Sequence, residues 1–339
     1  MQDRVLSTDR RSLLAGCVAG DPAHRVSVEV PKLGLFTRKP ANSAKSPIVA
    51  GFHEKLTSSV QYVVADPETK RCAIIDPVLD FEEKSGAIAT HSADALLAHV
   101  ETNGFNLEWI LDTHPHADHL SAAAYLKEKT GVPIGIGEKV VDVQRIWKDI
   151  YNLPDFPADG SQWDKLFADG ERFHIGNCEV EVISSPGHTA ASVTYVVGDA
   201  AFIHDTLFMP DGGTARADFP GGDAGQLWRS IQRILALPPD TRLFTGHDYT
   251  PAGRKSAWKS SIAQQKAGNT HLRKARTEAE FVALREARDR TLPIPNLMLL
   301  ALQVNIRGGR LPEPEANGRR YLKVPLDALP GAAWEVGRT

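Results

Sequence analysis

The spacing of apolar residues along the chain predicts short strands alternating with amphipathic helices. Runs rich in β-branched residues bounded by turn residues indicate strands, and apolar residues three and four apart indicate helices. The elements predicted in the first half are strands over 59–65 and 71–75, a helix over 92–104, a strand over 107–111 and a helix over 120–129. Before residue 49 no such pattern persists, and residues 1–48 are interpreted as a leader and linker.

The second half of the chain repeats this alternation of strands and helices, with more strands. The predicted elements are strands over 173–175, 179–184, 192–197 and 200–203, a helix over 223–237 and a strand over 242–245. A run of strands with one or two helices thus occurs twice, which predicts two β-rich halves facing each other with helices outside. Residues 49–250 are expected to form the main domain, and 251–339 a helical C-terminal extension that completes the fold. Thr277 and Glu280 form a capping-box pattern there.

Composition and charge exclude several classes of protein. The apolar fraction of 42% and the charged fraction of 24% are typical of globular chains. A net charge of −3 favours neither nucleic acid nor a membrane as a partner. The three cysteines form no CxxC pair, which favours a reducing compartment. The apolar stretch that precedes Cys17 is short for a secretory signal, so a cytoplasmic chain is expected rather than an exported one. The oligomeric state, including a homo-oligomer, is left open.

The strongest chemical signal is a cluster of histidine and aspartate directly after a predicted strand. It has the pattern His114-x-His116-x-Asp118-His119 and follows the strand over 107–111. Alternate residues of an extended segment point the same way, so His114 and His116 can aim at one point. Asp118 and His119 are expected at the start of the next helix, turned towards the same region. Imidazole and carboxylate groups suit zinc or iron rather than copper(I) or calcium.

Three later residues stand in comparable places. His188, Asp205 and His247 each come directly after a predicted strand. Strand ends in a layered fold meet at one rim, where sites are built, so these residues and the cluster predict one metal site. A lone histidine in a turn is more often an ordinary loop residue, and only the recurrence favours ligands. His204 is expected to point the opposite way along its strand. The other histidines, His271 among them, lack this context.

Taken in this order, the motifs resemble those of the metallo-β-lactamase superfamily. The matching segments are Thr113-His114-x-His116-x-Asp118-His119, Gly187-His188-Thr189, Asp205 and Gly246-His247, all within residues 49–249. The resemblance implies an α/β (α+β) fold, namely an αββα sandwich with a helical C-terminal lobe. Within the superfamily the chain resembles persulfide (sulfur) dioxygenases and the bacterial β-lactamase-like hydrolase branch, which are related to glyoxalase II.

The resemblance to persulfide dioxygenases implies a single iron ion. In that group the ligands correspond to His114, His188 and Asp205 of this sequence. The remaining motif residues would form a vacant, hydrogen-bonded second pocket, and these are His116, Asp118, His119 and His247. The implied reaction oxidises glutathione persulfide, or a similar low-molecular-weight persulfide, with O₂ to sulfite and free thiol at one Fe(II).

Three further segments favour the dioxygenase over glyoxalase II. Residues 214–219 resemble a Gly-Arg-Thr-Asp-Phe segment of that group, although a longer loop separates them from Asp205. His247-Asp248-Tyr249 matches its His-Asp-Tyr, where glyoxalase II more often has His-Glu-Tyr. Asn305-Ile306-Arg307 resembles its C-terminal Asn-x-Arg segment.

Arg216 and Tyr249 are the candidates for catalysis and for binding the anionic sulfur species. The alternatives are a structural ion pair of Arg216 with Asp218 or Asp211, and core packing of Tyr249. The partners expected are a small thiol persulfide and O₂.

Two other functions remain open from the sequence. One is a binuclear zinc or iron thioesterase of glyoxalase II type, with two metal ions such as Zn²⁺ held by all seven motif residues. The other is a metal-binding sensor without turnover. A pure binding module needs no open coordination positions, which argues against the sensor.

Overall fold

The structure is a computed structural model, and it describes residues 46–329. Within these residues the chain forms fifteen β-strands and seven α-helices. The predicted leader lies outside the described residues up to residue 45, as do residues 330–339 of the predicted C-terminal extension. The predicted domain boundaries remain a prediction.

The strands are β1 (Ile48–His53), β2 (Val60–Ala65), β3 (Arg71–Ile75), β4 (Val78–Glu82), β5 (Ala87–Ala89), β6 (Asn106–Leu111), β7 (Leu120–Ser121), β8 (Ile134–Gly137), β9 (Lys165–Phe167), β10 (Arg172–Ile175), β11 (Cys178–Ser184), β12 (Val193–Val197), β13 (Ala200–His204), β14 (Arg242–Thr245) and β15 (Lys259–Ser261). The helices are α1 (His91–Thr102), α2 (Ala123–Thr130), α3 (Val140–Ile150), α4 (Ala224–Leu235), α5 (Ile262–Gly268), α6 (Glu278–Asp289) and α7 (Met298–Asn305).

Two six-stranded sheets make up the centre of the fold. The first sheet has the order β1-β2-β3-β6-β8-β9, and the second has the order β10-β11-β12-β13-β14-β15. Strands β3, β6, β8 and β9 run parallel, as do β13 and β14, whereas the other neighbours in both sheets are antiparallel. A small sheet, β5-β4-β7, lies beside them. Together with the helices this is the αββα architecture that the sequence predicts, and the predicted fold class is confirmed.

Strand β2 shows why the sheets stack. All six of its residues are buried, so it lacks the polar alternation of a strand with one wet face. Val60, Tyr62 and Val64 belong to the core between the two sheets, which also contains Phe202 and Phe244. Val63 and Ala65 of β2 belong instead to the core that packs with the helices on the outer face. The first sheet is therefore covered on both faces at this strand.

One local prediction is wrong at the metal-binding motif. Asp118 and His119 do not begin a helix: they lie in the loop between β6 and the two-residue strand β7, and α2 begins only at Ala123. The reason is that Leu120 and Ser121 pair with Leu79 and Val78 of β4. That pairing extends the backbone where the apolar spacing alone indicates a helix.

The C-terminal residues supply both sheet and helix. Strand β15 adds to the edge of the second sheet by pairing with β14. The predicted capping box is present at α6, where the Thr277 hydroxyl accepts a hydrogen bond from the Glu280 amide at 3.2 Å. Among the described residues there is no helix of the length and apolarity that crossing a membrane requires.

Candidate metal centre

The loop after β6 is held rigidly although it carries several polar side chains. His114, His116 and His119 are all almost fully buried. Asn305 at the end of α7 donates hydrogen bonds to the carbonyl oxygens of His116 and His119, both at 2.7 Å, and accepts one from the Ser121 amide at 2.8 Å. Three bonds from one side chain therefore fix the path of this loop.

The structure brings His114, His188 and Asp205 together. Each offers one ligand atom, and the three atoms lie within 4.8 Å of one another. His114 Nδ1 lies 3.0 Å from the Thr113 hydroxyl, while its buried Nε2 has no hydrogen-bond partner among the described residues. His188 Nδ1 donates to the carbonyl oxygen of Arg216 at 2.9 Å, which leaves its Nε2 facing Asp205 Oδ2 at 3.6 Å. A buried unpaired nitrogen beside a second imidazole and a carboxylate fits a metal ion.

The protonation states favour metal binding by these three residues. Burial lowers the pKa of His114 well below its usual range, and the neighbouring imidazoles lower it further. Burial also lowers the pKa of His188. Burial alone would raise the pKa of Asp205, but the adjacent His247 outweighs it and lowers the pKa. Both imidazoles are therefore neutral and the carboxylate is ionised at pH 7, which are the forms that ligate metals.

A second group of possible ligands consists of His116, Asp118 and His119, whose ligand atoms also lie within 4.8 Å of one another. Burial lowers the pKa of His119 to about 4. Burial has the same tendency at His116, but the carboxylate of Asp76 reverses it and raises the pKa to about 9. His116 Nε2 donates to Asp76 at 3.1 Å, and its Nδ1 has no partner within residues 46–329.

His247 lies between the two groups and binds both through hydrogen bonds. Its Nδ1 is 2.6 Å from Asp205 Oδ1, and its Nε2 is 2.7 Å from Asp118 Oδ2. The hydroxyl of Ser59 donates to the same Asp118 oxygen at 2.9 Å. Burial tends to lower the pKa of His247, but the two carboxylates raise it well above its usual range. Both nitrogens of His247 are thus engaged by carboxylates.

The expectation that His204 points the opposite way along its strand, away from the site, is wrong. Its ring lies beside that of His114, with centroids 5.2 Å apart, and does not point away from the site. The pairing of β13 with β14 shifts register between Phe202 and His204, and His204 has a φ of 40°. This irregularity breaks the strand alternation on which the expectation was based. His204 Nε2 is held by the hydroxyls of Ser185 and Thr206, at 3.1 and 2.9 Å.

A cavity of about 440 Å³ opens onto His188 and Asp205. Arg216 and Tyr249 both line it, as predicted for residues near a substrate, and their roles remain predictions. The Arg216 side chain also forms the ion pair with Asp218 that was the alternative, and its guanidinium lies over the Phe219 ring. Tyr249 is not core packing: it is 57% exposed, and its ring stacks on His247.

Several residues of the site were missed by sequence reasoning. Asp76, directly after β3, accepts hydrogen bonds from the Thr113 amide and from His116. Asp112 accepts from Ser121, and burial raises the pKa of Asp112 to about 7. Both carboxylates directly follow apolar strands. The metal motifs were found by the same feature, which could also have pointed to Asp76 and Asp112.

His271 also lies on the cavity wall, where its Nδ1 accepts a hydrogen bond from the Thr214 amide at 3.0 Å. Burial, together with the charges of Arg285, Lys274 and Arg288, lowers its pKa to about 4. The unfolded chain, with a histidine pKa of about 6.5, binds this proton first, so the free energy of unfolding falls as pH drops from about 6.5 to 4.

The variant His271→Asn keeps an acceptor for Thr214 but cannot titrate. We therefore expect its free energy of unfolding to fall less than that of the wild type between pH 7 and pH 5, by roughly 1 kcal/mol after allowance for solvent screening. Denaturant unfolding of both proteins at the two pH values measures the difference. Parallel pH profiles would contradict the prediction.

The fold and the site together define a metal-dependent enzyme built on an αββα sandwich. The chain belongs to the metallo-beta-lactamase superfamily, whose sequence profile matches residues 55–247. That range contains all seven motif residues, so the superfamily inferred from the motifs is confirmed. Neither the identity nor the number of the metal ions follows from membership.

Individual proteins are similar over longer stretches. The beta-lactamase hydrolase-like protein of Xylella fastidiosa is 66% identical over 290 residues, which are 86% of this chain and 67% of that protein. Glyoxylase B2 of Dictyostelium discoideum is 47% identical, over 85% of this chain and 99% of that protein. The crystal structure of ETHE1 from Myxococcus xanthus has a TM-score of 0.63 at 27% identity, over 78% of this chain and 100% of that chain. These similarities confirm the branch that the motifs indicated.

Proposed function

We propose that this protein is a persulfide dioxygenase that holds one Fe(II) through His114, His188 and Asp205. The substrate is glutathione persulfide or a similar small persulfide. The reaction adds both atoms of O₂ to the terminal sulfur, and water then releases sulfite and the free thiol. The structural similarity to ETHE1 over the full length of that chain supports this choice.

One observation carries the proposal. Among the described residues, His114 Nε2 has no hydrogen-bond partner that would have to be given up to a metal ion, and His188 Nε2 faces Asp205 Oδ2 at 3.6 Å, whereas both nitrogens of His247 are bonded to carboxylates. Asp118 is in turn shared between His247 and Ser59. This favours one ion at the three-residue site, because filling a second site through His116, Asp118 and His119 would break the bond between Asp118 and His247.

Two imidazoles and one carboxylate form the ligand set typical of Fe(II) oxygenases, and an iron ion so bound keeps open positions and supplies the redox chemistry that O₂ requires. Other residues of the chain fix the orientation of the ligand side chains. The carbonyl of Arg216 orients the His188 ring, and His247 fixes one oxygen of Asp205 so that the other faces His188. Such outer contacts hold ligands in place and tune them.

The cavity gives the persulfide a route to these ligands. Its wall contains Arg288, whose charge favours an anionic substrate by electrostatic attraction, whereas Arg216 and Arg285 are paired with Asp218 and Asp289. Phe208 and Phe219 line the same space and limit the water around the reacting sulfur. Arg216 is fixed by Asp218, so its guanidinium is oriented before substrate arrives.

The test is metal analysis combined with an oxygen electrode. Protein purified without oxygen is expected to contain about one iron per chain and to consume O₂ when glutathione persulfide is added. Hydrolysis of S-lactoylglutathione, measured on the same sample, is expected to be absent. Two zinc ions per chain, with hydrolysis and no O₂ uptake, would overturn the proposal. A fully metallated protein with neither activity would favour the sensor.

A binuclear hydrolase of glyoxalase II type is the second candidate. Two observations favour it: the ligand atoms of His116, Asp118 and His119 lie together, and a relative with 47% identity is named glyoxylase B2. In that case His247 would exchange its bond to Asp118 for a metal ion. The metal-to-protein ratio separates the two candidates before any activity is measured.

A further inference from the structure

Helix α6 carries a buried ion pair, and one of its members, Arg285, lies in the cavity wall. Arg285 and Asp289, one helical turn apart, are 2% and 3% exposed and are joined by a hydrogen bond from Arg285 Nε at 2.9 Å and an ion-pair contact from Arg285 Nη2 at 2.8 Å. Replacing a buried pair of this kind by apolar residues is often neutral for stability or favourable, so burial of the charges needs another explanation.

Each member of the pair also binds the backbone of the segment 214–218. Arg285 donates to the carbonyl oxygen of Thr214 at 3.0 Å. Asp289 accepts from the amide of Ala217 at 3.0 Å. These two backbone groups lie on either side of Arg216 in the sequence. The pair therefore fixes the chain just before and just after that residue.

The fixed segment leads directly to the metal centre. The carbonyl oxygen of Arg216 is the group that receives the His188 Nδ1–H bond at 2.9 Å. Phe219, just beyond the segment, lies 5.0 Å from the His188 ring between centroids. A shift of the segment would thus turn the His188 ring, because its Nδ1 donates to Arg216 within the segment and the ring of Phe219, the next residue after it, packs against the imidazole.

We propose that Arg285 and Asp289 are positioning residues, which set the orientation of His188 through the 214–218 backbone. Neither side chain ligates the metal ion. Their contribution is to hold the carbonyl of Arg216 where the His188 imidazole must donate, so that its Nε2 faces Asp205. The inference rests on the proposed function, since it requires His188 to be a ligand.

The test uses Co²⁺, whose visible absorption reports the geometry of its ligands. In the double variant Arg285→Met with Asp289→Leu, no charge is left unpaired, so the fold is expected to persist while Thr214 and Ala217 lose their partners. Loss of contacts behind a metal-ligating histidine typically weakens affinity about 10- to 100-fold. We expect that loss in a chelator competition, together with an altered Co²⁺ spectrum.

The control is Phe281→Leu, on the same helix. Phe281 is fully buried and packs on Trp228, and its side chain has no group that could hydrogen-bond to the 214–218 backbone. This variant is expected to lower the melting temperature while the Co²⁺ affinity and spectrum remain those of the wild type. A general loosening of α6 would affect both proteins alike, whereas a positioning role affects only the double variant.

A milder variant covers the case in which the double variant does not fold. Arg285→Lys keeps the charge beside Asp289 but lacks the forked guanidinium that reaches both Asp289 and Thr214. It is expected to weaken Co²⁺ binding several-fold. Wild-type affinity and spectrum in the folded variants would overturn the inference alone, whereas a wild-type protein that binds no Co²⁺ would overturn the proposed metal centre as well.

Discussion

Replacing Asp205 or His188 by alanine is expected to abolish stoichiometric iron binding, and with it O₂ uptake. Each variant removes one of three ligands and leaves two imidazoles, or one imidazole and one carboxylate, which is too few for a protein iron site. His247→Ala is expected to keep most of the iron, because His247 contacts Asp205 only through a hydrogen bond. Iron content per chain after anaerobic reconstitution and desalting measures all three.

The three variants distinguish one ion from two. If two ions are bound, His247 becomes a ligand, and His247→Ala should lose about half of the metal. Equal and complete loss in all three would contradict the single-ion assignment. His174, an exposed histidine of β10, gives a matched control, because His174→Ala should retain the iron of the wild type.

Replacing Gly187 by alanine is expected to be among the most destabilising single changes in the chain. Gly187 has a φ of 136°, and a Cβ there would collide with the Cα and the amide nitrogen of Leu227 in helix α4. Backbone atoms of a packed helix cannot move aside as a flexible side chain can. We expect a loss of about 3 kcal/mol or more in the free energy of unfolding, and a loss of metal because His188 is the next residue.

Gly170→Ala is the matched control for Gly187→Ala. Gly170 also has a positive φ, of 76°, but a Cβ there would meet nothing within 4 Å. Its replacement should therefore cost only the backbone strain, about 1 kcal/mol. Denaturant unfolding of both variants separates strain from collision. Similar losses in the two would mean that helix α4 moves to accommodate the new methyl group at residue 187.

The sequence predicts that the motif residues come together, because each motif directly follows an apolar strand. His188, Asp205 and His247 could be assigned to one rim from this pattern alone. The contacts that support them could not. Asn305 stands in the Asn-x-Arg segment that the resemblance singled out, but it is 186 residues from His119, whose carbonyl it binds, and no local pattern records that contact. The same holds for Arg285, which contacts Thr214 across 71 residues.

Strand β8 could not be predicted from the sequence for a different reason. Its sequence, Ile134-Gly135-Ile136-Gly137, has two glycines, which weaken a strand when judged locally. In the fold these glycines admit close neighbours: a Cβ on Gly135 would lie 2.6 Å from the Phe167 ring, and one on Gly137 would lie 2.5 Å from the Val193 side chain. Glycine is required at these two positions because neighbouring side chains approach the strand closely. Those neighbours come from distant parts of the chain, so only the tertiary structure shows them.

The candidate ligands come from both large sheets. His114 follows β6 of the first sheet, whereas His188 and Asp205 follow β11 and β13 of the second. An ion held by all three would therefore act as a cross-link between the sheets, at one end of the core that they share. Opening the sandwich at that end would require release of the ion, so amide hydrogen exchange near the ends of these strands should slow together when metal binds.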